Sequence, residues 1–289
     1  MATASEWVQG ARPRTLPAAV APVLAGTGVA AYADGAVWWK ALLALVVSVA
    51  LQVAVNYAND YSDGIRGTDD VRVGPMRLVG SGVAAPAAVK RAAFLAFGVG
   101  GVAGLVLAAT TAWWLVAVGL VSVLAAWFYT GGSKPYGYLG FGEIMVFVFF
   151  GLVAVVGTAY VQSENFTAPA WYAGAGIGAL ACAILVANNL RDIPTDTVAG
   201  KRTLAVRLGA TATRRLYVGQ LALALVLVVA MAPWHPAALL ALVSVLVMVP
   251  AVRLVRGGAA GLALIPVLRE TGRAELVYGV LLGVGLALT

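Results

Sequence analysis

The chain has 289 residues, 62% of them hydrophobic and only 11% charged, with a mean hydropathy of +0.92. A water-soluble globular domain averages about 45–50% apolar and about 25% charged residues, so that class is excluded and an integral membrane protein is indicated. The net charge of +7 follows a membrane topology, set out below, and so suits anionic lipid headgroups or an anionic substrate and not nucleic acid.

The opening stretch, MATASEWVQGARPRTLP, has no basic region leading straight into a short apolar core and cleavage site, so no cleaved signal peptide is expected. Segments near the ~20 residues needed to cross a ~30 Å apolar core are predicted at 15–33, 39–59, 92–110, 112–130, 142–161, 169–190, 216–233, 236–254 and 274–289. These nine spans form one membrane domain, 1–289, with two related halves at about 15–130 and 142–254 and a ninth helix. Glu275, in the short ninth span, is expected at the membrane interface. Cys182 is the only cysteine; it lies among Ala, Ile and Leu and reads as packing.

With nine crossings, the N-terminus and the loops that follow even-numbered spans share one side. Arg12 and Arg14 lie there, as do Arg66, Arg72, Arg77, Lys90 and Arg91, then Lys134. Arg191, Lys201, Arg202, Arg207, Arg214 and Arg215 follow, then Arg253, Arg256, Arg269 and Arg273. Only Lys40 of the 19 Lys and Arg falls opposite. Excess Lys and Arg mark the cytoplasmic face, so the N-terminus is expected in the cytoplasm of a multi-pass cell (plasma or inner) membrane protein.

The second span ends in NYANDYSDG, residues 56–64. Asn56, Asp60 and Asp63 stand at i, i+4 and i+7, on one helical stripe. Carboxylates so spaced repel unless a cation lies between them, and each costs about 2.5–3.5 kcal/mol at the centre of a membrane helix. Asn59 either adds a carbonyl ligand or hydrogen-bonds the carboxylates. The sixth span ends in NNLRDIPTD, with Asp192 and Asp196 at i, i+4, Asn188 one turn earlier and Asn189 adjacent. Pro194 is expected to kink the helix or end it early. Both clusters sit at the cytoplasmic end of an even-numbered span, which predicts that they face each other across a central cavity.

Hard oxygen donors with no nearby His or Cys point to Mg²⁺, which prefers one or two carboxylates plus phosphate oxygens. The single His235 is expected on the opposite face. Two facing acidic pairs flanked by basic loops describe a diphosphate clamp. Arg66, Arg72 and Arg77 follow the first cluster; Lys201, Arg202 and Arg207 follow the second. The loop YTGGSKPYGYLGFGE adds Tyr129, Lys134 and Glu143, and its glycines let backbone approach a ligand closely. Asp69 and Asp70 read as solvated loop charges, and Glu143 as a helix-start residue.

The chain resembles the UbiA superfamily of intramembrane prenyltransferases, nine-helix bundles with Asp-rich motifs on helices 2 and 6. The matching stretches are RPRTLPAAVAPVLAG at 12–26, NYANDYSDGIRGTD at 56–69, YTGGSKPYGYLGFGE at 129–143 and NNLRDIPTDTVAGKRTLAVRLG at 188–209. Within the superfamily the likeness is to the 1,4-dihydroxy-2-naphthoate polyprenyltransferases of menaquinone synthesis. The resemblance implies an all-α membrane bundle around a cavity open to the cytoplasmic side. It implies that Asn56, Asp60, Asp192 and Asp196, with Asn188, hold Mg²⁺ (two ions) on a polyprenyl diphosphate. The superfamily's first motif often ends in an Asp where this chain has Gly64, so Asp63 would serve instead. Asp60, Asp192, Lys134 and Tyr129 are then the expected catalytic groups. Arg66, Arg72, Arg77, Lys134, Lys201 and Arg202 are the expected diphosphate contacts.

The implied reaction prenylates 1,4-dihydroxy-2-naphthoate with loss of CO₂ and diphosphate. Aromatic faces stabilise the cation-like allylic carbon; Tyr57, Tyr61, Phe128, Phe147 and Phe150 are candidates, and Asn59 joins them around the acceptor and prenyl chain. Arg66 or Arg77 would anchor the acceptor carboxylate. The prenyl tail stays in lipid. The alternative within the superfamily is another ring, such as 4-hydroxybenzoate. The CDP-alcohol phosphotransferases also open on DYSDG-like sequence, but here the second aspartate pair arrives more than 120 residues later. A secondary transporter would carry its site near mid-membrane on broken helices, not at the cytoplasmic ends.

Overall fold

Small side chains let one long helix become the axle of this all-helical protein. Helix α8, Ala168–Val198, is rich in Gly and Ala and buries nearly every residue from Ala173 to Ala183. A Cβ on Gly178 would come within 2.8 Å of the Phe147 carbonyl, and one on Gly176 within 2.2 Å of the Tyr278 hydroxyl. Such close approach is how helices gain packing energy where lipid removes the hydrophobic drive.

The computed structural model describes residues 2–68 and 76–289; Asp69, Asp70 and Arg72 lie outside the described residues. In chain order the helices are α1 (Ala4–Ala11), α2 (Pro17–Tyr32), α3 (Trp38–Ile65), α4 (Pro86–Thr110) and α5 (Leu115–Phe128). Then come α6 (Gly142–Val146), α7 (Ala154–Ser163), α8, α9 (Leu204–Met231), α10 (Val245–Arg256) and α11 (Ile265–Ala287). A π-helical stretch, Phe147–Val153, joins α6 to α7 in one rod, and a 3₁₀ stretch, Pro236–Ser244, leads into α10.

Among the described residues, six helical rods are long and apolar enough to cross a membrane, or seven if α1 and α2, bent by 49°, count as one. Two of the nine predicted spans fall short of that criterion. Helix α5 has only 14 residues, and α11 carries Arg269, Glu270, Arg273 and Glu275. Glu275 is fully buried inside the bundle, on α11 where that helix packs onto α2. Pro194 does not end α8, which runs on to Val198. The seventh predicted span begins earlier, and α9 is kinked at Gly209, whose φ of 74° departs from the helix.

The main apolar core gathers α2, α7, α8, α9, α10 and α11. A second, smaller core joins α1, α3 and α4 to the turn around Leu78. The outer faces of α4 and α5 are apolar and exposed, with Leu95, Val102 and Leu120 turned outward, as a lipid-facing surface requires. Lys40 donates to the Thr110 carbonyl at 3.1 Å and the Thr111 hydroxyl at 3.0 Å, capping the end of α4. Cys182 is buried and donates to the Glu143 carbonyl; His235 is buried edge-on against Tyr32.

Helices α2 and α11 close against each other in parallel. Gly279 lies on Ala21, Gly283 on Leu24 and Ala25, and a Cβ on Gly28 would meet the Gly283 carbonyl at 2.2 Å. Backbone on both sides leaves no room to relax. Gly28→Val is therefore expected to destabilise the protein by about 1–3 kcal/mol, read as a lower melting temperature in detergent. Gly98→Ala, with nothing within 4 Å of the added carbon, is expected to leave melting unchanged.

Candidate active site

The polar ends of α3 and α8 meet at the mouth of a pocket of about 830 Å³. Nine of the residues singled out in the sequence line it: Asn56, Asn59, Asp63, Arg77, Tyr129, Asn188, Asp192, Asp196 and Lys201, and Phe150 lies further along the wall. Lys201 joins the two helix ends. Its ammonium is 3.5 Å from Asp63 at the end of α3 and 4.0 Å from Asp196 at the end of α8. It also lies 4.5 Å from the centroid of the Tyr138 ring. Asp63 is further held by the Tyr138 hydroxyl and by Arg77 at 3.6 Å. Burial, then the Asp63 charge, pushes the Tyr138 phenol up from its ordinary value, so it remains a proton donor at neutral pH. On α8, Arg191 donates twice to Asp192 at 2.7 Å and once to Asn188 at 2.8 Å.

The loop between α5 and α6 is drawn inward by its backbone. Gly137 N donates to the Tyr129 carbonyl at 3.0 Å, and a Cβ there would strike that oxygen at 2.6 Å. The Tyr136 hydroxyl donates to the Ala125 carbonyl at 2.7 Å. Two arginine side chains and a backbone amide clamp the same loop. Arg66 donates to the carbonyls of Thr130 and Gly132, Arg207 to that of Leu139 at 2.8 Å, and Arg202 N to that of Tyr138 at 2.8 Å. Tyr129, at the end of α5, lines the pocket beside this loop, edge-on to Tyr136.

Several expected site residues stand elsewhere. Asp60 turns both carboxylate oxygens to backbone amides, accepting from Leu78 N at 2.8 Å and Val79 N at 2.9 Å, and does not line the pocket. It anchors the turn that carries Arg77. Lys134 is exposed on the outer side of its loop, because the inward turn at Pro135–Tyr138 leaves it behind. Arg66 and Arg202 serve the loop clamp and do not line the pocket. Tyr57 packs on Trp7 and donates to its carbonyl at 2.9 Å; Tyr61 stacks on Trp127; Phe128 is exposed at the end of α5. Phe147 packs against Gly178, and the π-helical stretch re-phases the rod so that Phe149 and Phe150 line the pocket. Single-turn π segments often mark such functional re-aiming.

Sequence reasoning missed Tyr138, Arg191 and the Arg12–Thr15 turn as pocket residues. Arg191 had a signal, since it adjoins Asp192; Tyr138 lay in the quoted loop but no periodicity separates it from Tyr136. Asn189 also lines the pocket, with Nδ2 donating to Glu143 at 2.9 Å. Asn59 Oδ1 accepts from the Thr130 hydroxyl at 2.7 Å, so it braces the loop from α3.

Residues 19–263 match the model of the UbiA prenyltransferase family. The chain belongs to this family. It is 57% identical over 287 residues to the 1,4-dihydroxy-2-naphthoate octaprenyltransferase of Mycobacterium tuberculosis, covering 99% of this chain and 98% of that protein. It is 39% identical to the protein of the same description from Escherichia coli over 225 residues, 73% of this chain and 71% of that one. With six or seven helical rods long and apolar enough to cross a membrane among the described residues, it is a multi-pass membrane protein. Its fold is similar to that of a UbiA homolog from Aeropyrum pernix, with a TM-score of 0.72 at 15% identity over 93% of this chain and 97% of that one. A UbiA homolog from Archaeoglobus fulgidus bound to GPP and Mg²⁺ matches with a TM-score of 0.68 at 12% identity, covering 98% of this chain and all of that one.

The geometry at Asp60 makes a direct prediction for this UbiA member. Asp60→Ala strands two backbone N–H groups, each costing about 1–3 kcal/mol when buried and unpaired. The variant is expected to melt at clearly lower temperature, whereas Asp60→Asn, which keeps one acceptor, loses less. Thermal unfolding of the three proteins in the same detergent checks the order.

Proposed function

We propose that this protein transfers a polyprenyl group from polyprenyl diphosphate to 1,4-dihydroxy-2-naphthoate, releasing diphosphate and CO₂, in menaquinone biosynthesis. One observation carries the site: Lys201 stands between Asp63 and Asp196, so acids from two distant helices and their counter-charge share one pocket. The near-full-length similarity to the M. tuberculosis protein supports the acceptor.

The residues present fit Mg²⁺. Asp63, Asp192, Asp196 and Asn188 offer hard oxygen donors. No group of three or more His, Cys, Asp or Glu among the described residues is placed to hold a metal alone. An ion here would complete its shell from diphosphate oxygens, the habit of Mg²⁺. Bound there, it would supply Lewis-acid stabilisation of charge on the leaving diphosphate. Lys201 and Arg77 bind the same leaving group as charge builds on it. Tyr129, Phe149 and Phe150 offer ring faces to the allylic carbon. The C–O bond to diphosphate breaks with its electron pair; the ring carbon bearing the carboxylate forms the new C–C bond; the carboxylate leaves as CO₂ and its electrons restore the aromatic ring. Leu51, Leu107 and Val118, among other apolar residues of the wall, shelter the cation from water.

The nine helical rods form nine crossings of a single domain in two related halves, with the acidic ends on the cytoplasmic side. The parallel packing of α2 on α11 supports an odd number of crossings, and the one-sided Lys and Arg support the orientation.

Purified protein given polyprenyl diphosphate is expected to release diphosphate with 1,4-dihydroxy-2-naphthoate and Mg²⁺, and to stop when EDTA is added. Prenylation of 4-hydroxybenzoate in preference would overturn the acceptor. Lys201→Ala is expected to lower turnover by roughly 100-fold or more, the scale of losing a charged contact to the leaving group. Lys134→Ala, outside the pocket, is expected to stay within about threefold of the parent in the same assay.

A further inference from the structure

The break between α1 and α2 is held from below by α3. Asn56 Nδ2 donates to the Ala11 carbonyl at 2.8 Å and to Thr15 Oγ1 at 3.0 Å. Gln52 Nε2 donates to Thr15 Oγ1 at 3.2 Å and to Asn56 Oδ1 at 3.3 Å. Thr15 Oγ1 in turn donates to the Arg12 carbonyl at 2.9 Å. Arg12 sits at φ 55°, a left-handed conformation that residues with a Cβ adopt rarely. Such conformations persist where surrounding contacts over-determine them, and they cluster at functional sites.

The turn delivers a guanidinium to the pocket. Arg12 lines it, and its Nη2 is buried with no hydrogen-bond partner among the described residues. A guanidinium cannot shed its proton, and a buried charged donor without a partner is costly. Arg12 itself is half-buried, so the pocket side of its guanidinium is open to an acceptor that arrives with a ligand. Two anions enter this pocket under the function proposed above, the diphosphate and the acceptor's carboxylate. The diphosphate's cations are grouped at Asp63, seven residues beyond Asn56 and thus about 10 Å further along α3.

We propose that Arg12 binds the carboxylate of the aromatic acceptor, and that Asn56 is the positioning residue that builds its turn. The inference rests on that functional reading for its carboxylated acceptor. The planar fork of Arg12 matches a carboxylate through two parallel hydrogen bonds. The prenyl carbon and the attacked ring carbon lie between the two anion subsites. CO₂ leaves uncharged, so the contact that recruits the acceptor does not retain the prenylated product.

Binding without donor isolates the contact. Calorimetry on the purified protein would compare 1-hydroxy-2-naphthoate with 1-naphthol, which lacks only the carboxylate. The parent is expected to prefer the carboxylated ring by roughly 10- to 100-fold, the range of a charged hydrogen-bonded pair. Arg12→Gln is expected to reduce that preference to within about threefold, Arg12→Lys to an intermediate value, and Asn56→Ala to lower it in part. Affinity for geranyl thiodiphosphate with Mg²⁺ is expected to stay within about twofold of the parent in Arg12→Gln, which also reports intact folding. Full retention of the preference in Arg12→Gln, or equal weakening of both ligand classes, overturns the assignment while parent turnover leaves the function standing. A parent that neither prefers the carboxylate nor prenylates 1,4-dihydroxy-2-naphthoate overturns the functional reading itself.

Discussion

Opposed carboxylates in a membrane protein need a positive charge between them, and here that charge is Lys201. Asp63 and Asp196 are 133 positions apart in the sequence, yet one ammonium lies 3.5 Å from the first and 4.0 Å from the second. At an effective dielectric near 20, each such pair gains up to about 4 kcal/mol before desolvation is counted. The attraction draws together the ends of α3 and α8. It also leaves a mouth whose negative charge is balanced within the pocket by Lys201 and Arg77.

The rest of the molecule serves that convergence. Glycine and alanine on α8 let α9, α11 and the α6–α7 rod approach closely, which fixes where its acidic end emerges. Asp60 spends both oxygens on the Leu78–Val79 turn, and Leu78 then packs against Gly10 of α1. The first acidic helix is thereby coupled to the segment that carries Arg12. Arg66, Arg207 and the Arg202 amide hold the aromatic loop over the pocket from both sides.

Much of this was legible in the sequence, and the limits are physical. Apolar length located the helices, and i, i+4 spacing placed Asn56, Asp63, Asp192 and Asp196 on pocket-facing stripes. Residue type alone did not say which oxygens of a stripe face the pocket and which close a turn, so Asp60 and Asp63 looked equivalent. A flanking basic loop looked like a row of phosphate contacts, but among the described residues of that row Arg77 and Lys201 reach the pocket, while Arg66, Arg202 and Lys134 do not. Phe147 was named instead of Phe149 because a seven-residue π stretch changes the angular period. Apolar content marked α5 and α11 as spans, but it reports neither the 14-residue length of α5 nor the burial of Glu275 on α11.

The parallel seam of α2 and α11 has a topological consequence. In most compact domains the two chain ends lie near each other, and a short linker can join them while new ends are opened in a loop. Here the start of α2 and the finish of α11 sit at opposite ends of the bundle, separated by the full rise of a 16-residue helix, about 24 Å. Joining the finish of α11 directly to the start of α2 would take a tether as long as that helix, so the relative direction of these two helices is built into the packing itself.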